Sequence, residues 1–154
     1  TAVELGAEDW DEAWHELSAR LLALGRTVVE TMGRGHHAVG RRAGAVAATH
    51  MPEMYEAAGL EQIFTGLERQ LAGAFAFEAS LDGDSATLSF DPCGICAVVR
   101  SADQNPGEAV LCDIFHDFLA GLLASYSGQP YRVEVRSAGD TCEIGLTPAG
   151  GVHG

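Results

Sequence analysis

The sequence predicts an α+β domain in which N-terminal helices pack on a four-stranded antiparallel sheet built from two β-hairpins that flank a long helix. Three observations carry this. Apolar residues recur at helical spacing through the first half of the chain. Short-period alternation around an acidic-glycine turn appears twice in the second half. One apolar helical run separates those two places, so helices and hairpins segregate as they do in α+β folds.

The first helix is expected from about Asp9 to Met32. Trp10, Trp14, Leu17, Leu21, Val28 and Met32 form one apolar stripe, Asp9, Asp11 and Glu12 crowd the positive end of the helix dipole, and Gly33 and Gly35 end it. A second helix, His36 to Thr49, is rich in Ala and Gly and can therefore pack closely against a neighbour. Pro52 suits a helix start and Gly59 a break, after which Ile63, Phe64, Leu67 and Leu71 share one side of a run from Leu60 to Leu71. The first hairpin spans Ala74 to Leu81 and Ala86 to Phe90 around Asp82-Gly83-Asp84. Asn105-Pro106-Gly107 marks a loop, and Glu108 to Tyr126 a helix with Leu111, Phe115, Phe118, Leu119 and Leu122 apolar. The second hairpin joins Tyr131–Arg136 to Thr141–Leu146 through Ser-Ala-Gly-Asp. Residues 1–147 read as one domain, helical over 1–72 and hairpin–helix–hairpin over 73–147, followed by a flexible Gly-rich tail over 148–154.

At 154 residues the chain can bury a core without disulfides. Its net charge of −13, from 22 acidic and 9 basic residues, repels phosphate backbones and disfavours nucleic-acid binding by the chain alone. Arg34, His36, His37, Arg41 and Arg42 form the one basic cluster, expected to be a solvated helix face. The apolar stretches are shorter than a bilayer crossing requires, no charged-then-apolar leader is present, and Thr1-Ala-Val-Glu reads as a native start whose methionine has been removed. The expectation is a cytoplasmic protein without a membrane span, in a compartment where cysteines stay thiols or bind metal.

Cysteine carries the strongest chemical signal. None occurs in the first ninety-two residues, and then Cys93-Gly-Ile-Cys96, Cys112 and Cys142 fall within fifty. Thiolates hold Zn²⁺ or iron–sulfur clusters. A C-x-x-C pair supplies two ligands from one tight turn, while Cys112 in the first turn of a helix and Cys142 in a strand supply the others. A Cys₄ centre on Cys93, Cys96, Cys112 and Cys142 would tie three elements together, with zinc the favoured metal and a [4Fe–4S] cluster the alternative. A helix N-terminus is expected to lower the Cys112 pKa. His116, four residues on and on the same side of the helix, could replace one thiolate, although a hydrogen-bonded core histidine is preferred.

The arrangement of a cysteine pair after the first hairpin, Cys112 leading Asp113-Ile-Phe-His-Asp-Phe-Leu-Ala-Gly-Leu-Leu, and Gly139-Asp140-Thr141-Cys142-Glu143-Ile144 resembles the 4-vinyl-reductase domain. That family shares its fold with subunits of the TRAPP vesicle-tethering complex, and similar strings occur in iron–sulfur-sensing repressors. The likeness covers roughly residues 60 to 147. It implies a small metal site, usually cysteine-held zinc with some acidic help, beside a cavity under the helices for a small hydrophobic or aromatic molecule. Several members are sensory modules. These 154 residues include no DNA-binding or ATPase domain and carry a full C-x-x-C pair, which keeps an all-cysteine centre open.

Other chemistries read more weakly. A thioredoxin-like dithiol opens a helix in a βαβ context, whereas Cys93 follows an antiparallel hairpin. Four thiolates would close a zinc site to hydrolysis. His36, His37 and His50 are expected to be surface polar groups, and Asp113 and Asp117 to face solvent. Trp10 and Trp14 suit a core or an oligomer interface, and a helix this long could pair with its twofold mate in a homodimer. No phosphate loop, nucleophile elbow or carboxylate pair is present. The functional expectation is a metal-binding, small-ligand-binding or sensory module. The alternative from another class is an iron–sulfur redox protein or enzyme on the same cysteines, and a third is a scaffold with a structural metal.

Overall fold

A computed structural model describes residues 6–50, 59–71 and 75–150. The helix start expected at Pro52, the N-terminal Thr1-Ala-Val-Glu and the end of the tail lie outside these residues. The chain runs α1 (Ala7–Met32), a 3₁₀ turn (Gly33–Gly35), α2 (His36–His50), α3 (Leu60–Leu71), β1 (Phe75–Asp82), β2 (Ser85–Cys93), α4 (Gly94–Ser101), α5 (Val110–Ser127), β3 (Tyr131–Ala138) and β4 (Cys142–Pro148). The sheet is antiparallel in the order β1-β2-β4-β3, so the two hairpins join edge to edge through β2 and β4.

Period-two burial makes one face of this sheet the floor of the core. Ala86, Leu88 and Phe90 of β2 and Ile144 and Leu146 of β4 all point inward, with Leu88 opposite Ile144. Ile63, Phe64 and Leu67 of α3 and Leu119, Leu122 and Leu123 of α5 cover that face, as their helical spacing predicts. Each such side chain contributes about 1.5–3 kcal/mol by leaving water. Tyr131 enters the core and donates its hydroxyl proton to the Asp84 carbonyl at 3.0 Å, satisfying its polar end.

The Gly-rich α2 packs on α5 with almost no side chain between them. A Cβ on Gly40 would stand 2.7 Å from the Ile114 carbonyl oxygen, and one on Gly44 would stand 2.6 Å from the Leu122 amide nitrogen. Gly121 of α5 meets the Arg41 backbone in the same way. This close approach brings the outer turns of α2 against the first turns of α5.

Several expectations are corrected. The C-x-x-C segment is not merely a tight turn: Cys93 ends β2 and caps α4, which the sequence reading missed. The α1 stripe is not core. Trp10, Trp14, Leu17 and Met32 are exposed, and Ser18 and Gly25 are the buried positions of that helix. By length and composition alone, α5 reaches what a bilayer crossing requires, contrary to the sequence reading. Half of it is buried inside the fold, which is how a central core helix passes the same test. The tail begins later than expected, because β4 continues through Pro148.

Candidate functional site

All four cysteines are buried and none forms a disulfide. The ladders explain why they gather. Cys142 opens β4 opposite Phe90, and Cys93 lies three residues further along β2, at the same end of the sheet. Cys96 sits in the first turn of α4 and Cys112 in the first turn of α5. Gly107, at φ +82°, turns its N–H toward the Cys112 sulfur at 3.3 Å, a conformation that glycine adopts at little cost.

The thiols sense one another. Cys96 lies beside Cys93 and Cys142, and Cys112 lies within electrostatic reach of Cys93. Burial, with the neighbouring sulfurs adding to it, pushes the Cys142 thiol up to about 11 and Cys96 higher still. Cys112 is raised too, by burial outweighing the Gly107 amide that favours its thiolate. The lowering expected from the helix N-terminus is therefore overturned, because desolvation exceeds the dipole.

The donor chemistry suits a thiophilic centre, with four buried, unoxidised sulfurs drawn from β2, α4, α5 and β4. Among the described residues no three sulfurs lie within 4.8 Å of one another. Four thiolates on one zinc ion at about 2.3 Å would stand about 3.8 Å apart.

His116 is buried, and burial lowers its pKa against the pull of Asp113 and Asp117. It lines a recess with His37, Arg41, Asp113 and Asp117, so its charged neighbours are these carboxylates rather than the thiols.

That recess holds the constellation the sequence reading missed. Asp117 is buried rather than solvent-facing and accepts from His37 Nδ1 at 2.6 Å and from Arg41 Nε at 3.0 Å. His36 is buried rather than a surface group, with Nδ1 3.0 Å from the Gly33 carbonyl and Nε2 3.0 Å from Asp113 Oδ2. The Gly33 carbonyl, then burial opposing it and Asp113 supporting it, leaves the His36 pKa raised. Arg41, expected to be solvated, also donates to the Tyr131 carbonyl at 3.0 Å. The partners are 77 and 80 residues apart in sequence, beyond any ligand-spacing rule. The available signal was Asp113 and Asp117 on one helix face, combined with glycines that let α2 reach it.

A second recess, of about 680 Å³, opens between α3 and the sheet, lined by Glu68, Phe77, Glu78, Phe90, Asp91 and Thr141 among others. The Phe77 and Phe90 rings stand 5.2 Å apart, and Phe90 makes an edge contact with Phe115 at 5.8 Å. Asp91, Thr141 and Phe90 also adjoin Cys142 in chain or ladder, so this recess borders the thiols. A third recess, of about 570 Å³ between α1 and the segment before α5, is lined by aliphatic and charged groups such as Leu22, Val29, Arg26 and Glu30. The α3 recess sets the edges of Phe77 and Phe90 among three carboxylates and two hydroxyls.

No family profile matches the chain, and no curated protein does. Solved structures do. The phenol-responsive sensory domain of the transcription activator PoxR, with phenol, is similar at a TM-score of 0.59 and 15% identity, over 85% of this chain and 74% of that one. A trafficking protein particle complex subunit 3 from Naegleria fowleri, covalently bound to palmitic acid, is similar at a TM-score of 0.59 and 9% identity, over 90% of this chain and 96% of that one. At these identities the likeness establishes fold. The fold implied by the resemblance to 4-vinyl-reductase domains and tethering-complex subunits is the fold this chain has.

Proposed function

We propose that the chain is a small-molecule-binding sensory module whose aromatic ligand occupies the recess between α3 and the sheet, beside a metal centre held by Cys93, Cys96, Cys112 and Cys142. The observation that carries the reading is the adjacency of a recess edged by Phe77 and Phe90 to the buried Cys142, through Phe90 and Thr141. Two structural neighbours accommodate an aromatic compound in one case and a fatty acyl chain in the other, which supports an apolar guest of this class.

Zinc is the centre favoured here. It would fix the ends of β2, α4, α5 and β4 relative to one another, a structural role in which metal binding adds to folding stability. The reading from another class, an iron–sulfur redox protein or enzyme, draws on the lack, among the described residues, of three sulfurs within 4.8 Å of one another, since a cluster holds its thiolates farther apart than a single ion does. Free thiols suit a reducing, cytoplasmic setting.

The chain is further inferred to pair with a second copy through α1. Trp10, Trp14, Leu17, Leu24 and Met32 are exposed on that helix. Within the helix Arg20 pairs with Glu16 and Arg26 with Glu30, so the apolar side chains, not charge, would carry the contact.

The test is anaerobic purification with metal analysis and a visible spectrum, followed by phenol titration calorimetry. About one zinc per chain, lost in Cys142→Ser, and saturable phenol binding weakened about tenfold in Phe77→Leu are the expected results. Bound iron and sulfide with a brown colour select the cluster. A metal content unchanged by Cys142→Ser sinks the four-thiol centre, and the absence of phenol binding sinks the recess assignment for this ligand class.

A further inference from the structure

The junction of α2 and α5 holds imidazoles and carboxylates that the ligand recess and the thiols do not use. Among the described residues, His36, His37 and Asp113 are the group of three ligating side chains whose donor atoms all lie within 4.8 Å of one another. We propose that these three residues form a second, thiol-free site for a divalent cation of zinc-like chemistry, with two imidazole nitrogens, one carboxylate oxygen and a coordination position left open to the adjoining recess.

The hydrogen-bond pattern of each ring supports the assignment. The Gly33 carbonyl can only accept, so His36 carries its proton on Nδ1, which lies 3.0 Å away. Its Nε2 then faces Asp113 Oδ2 at 3.0 Å, an acceptor set against an acceptor unless a second proton or a cation lies between them. His37 is held the same way, with Nδ1 at 2.6 Å from Asp117 Oδ2, which leaves Nε2 as its free lone pair. One ring oriented by a backbone carbonyl and the other by a carboxylate is the outer arrangement found around metal-binding histidines. Arg41, 3.0 Å from Asp117 Oδ1, fixes that carboxylate in turn.

The His36 and His37 rings lie 4.0 Å apart between centroids, 34° from parallel. One added proton on His36 would relieve the Asp113 contact, and a divalent ion relieves it while also engaging the His37 lone pair. A divalent ion lets both rings stay neutral. Bonds of about 2.0–2.1 Å to nitrogen and oxygen place tetrahedral ligands about 3.3 Å apart, close to the His36–Asp113 separation. With Asp113 and Asp117 ionised and Arg41 charged, the group is one negative charge in balance. A divalent ion makes it one positive charge, so the open position favours hydroxide or a small carboxylate. The recess there, about 320 Å³ and bounded by His116, Val133 and Val135, has room for either.

Anaerobic cobalt(II) titration of the whole protein tests this independently of the thiol centre, because thiolate ligation adds a charge-transfer band in the near ultraviolet that nitrogen and oxygen ligands do not. The expected result is one equivalent of cobalt showing only ligand-field bands. His37→Ala and Asp113→Asn should each weaken it about tenfold or more, and Cys142→Ser should leave it unchanged. In the unmutated protein, zinc should shift the imidazole proton resonances of His36 and His37, a readout that does not depend on variants folding. If the thiols bind no metal, the thiolate band is missing and the ligand-field bands remain, which separates the two proposals. Cobalt that always brings the thiolate band, or a thiolate-free site indifferent to His37→Ala and Asp113→Asn, overturns the inference.

Discussion

His116 shows how burial decides the chemistry of a single residue. Desolvation lowers its folded-state pKa below the ordinary 6.5, against the opposing pull of Asp113 and Asp117. The unfolded chain therefore takes up a proton near pH 6.5 while the folded chain still refuses it. Through that interval the unfolded state binds more protons, so stability falls as pH falls, by at most about 1.4 kcal/mol per pH unit. The melting temperature should drop on acidification below pH 6.5, and His116→Gln should flatten that acid limb relative to the parent. An equal slope in both proteins would show that His116 is not the source. The same balance governs the thiols. Their positions in sequence were readable because four cysteines fall in fifty residues. The raised pKa values of Cys96, Cys112 and Cys142 were not, because the helix dipole at Cys112 is visible in sequence and its desolvation is not.

Among the elements, the α2–α5 crossing organises the rest, and it depends on missing side chains. Gly40 and Gly44 put α2 against the α5 backbone, and Gly121 does the same from the other side. A methyl group at residue 44 would meet the Phe118 carbonyl and the Leu122 amide, backbone atoms that cannot rotate away. Gly44→Ala should destabilise the fold by about 1–3 kcal/mol through overpacking, despite the gain in helix propensity. Gly66→Ala is the control, since no neighbouring atom lies within 4 Å of the added Cβ and α3 should tolerate or gain from it. Thermal melts of the two variants moving together would remove the crossing as the cause. The Gly/Ala content of α2 announced close packing, but not against which helix. That choice lies in long-range complementarity between Gly40, Gly44 and Gly121. Without it the pairing of His36 and His37 with Asp113 and Asp117 was hidden, although every one of those residues was in view. The short α4 was missed for a related reason: eight residues carry too little periodicity to announce a helix, and a cysteine pair reads as a turn.

At the scale of the molecule, the sheet joins the thiols to the recess beside α3. Phe90 faces Cys142 across the β2–β4 ladder and also walls the recess, and Asp91 and Thr141 adjoin the same two strands. Among the described residues no three sulfurs lie within 4.8 Å of one another, so an ion held by all four would require the segments that carry them to adjust. Such an adjustment would reach Phe90, whose ring contacts Phe77 and Phe115. A sensor needs such coupling, and coupling between two binding sites is reciprocal. Metal-loaded protein should bind phenol about fivefold or more tightly than metal-free protein, and saturating phenol should raise the metal affinity by the same factor. Calorimetry with phenol before and after chelation measures one side, and chelator competition with and without phenol measures the other. Equal phenol affinity in both metal states would leave the thiols a structural clamp and return the sensory role to the recess alone, whereas unequal factors on the two sides would mean that chelation has altered the fold, because linkage permits no other source of disagreement between them.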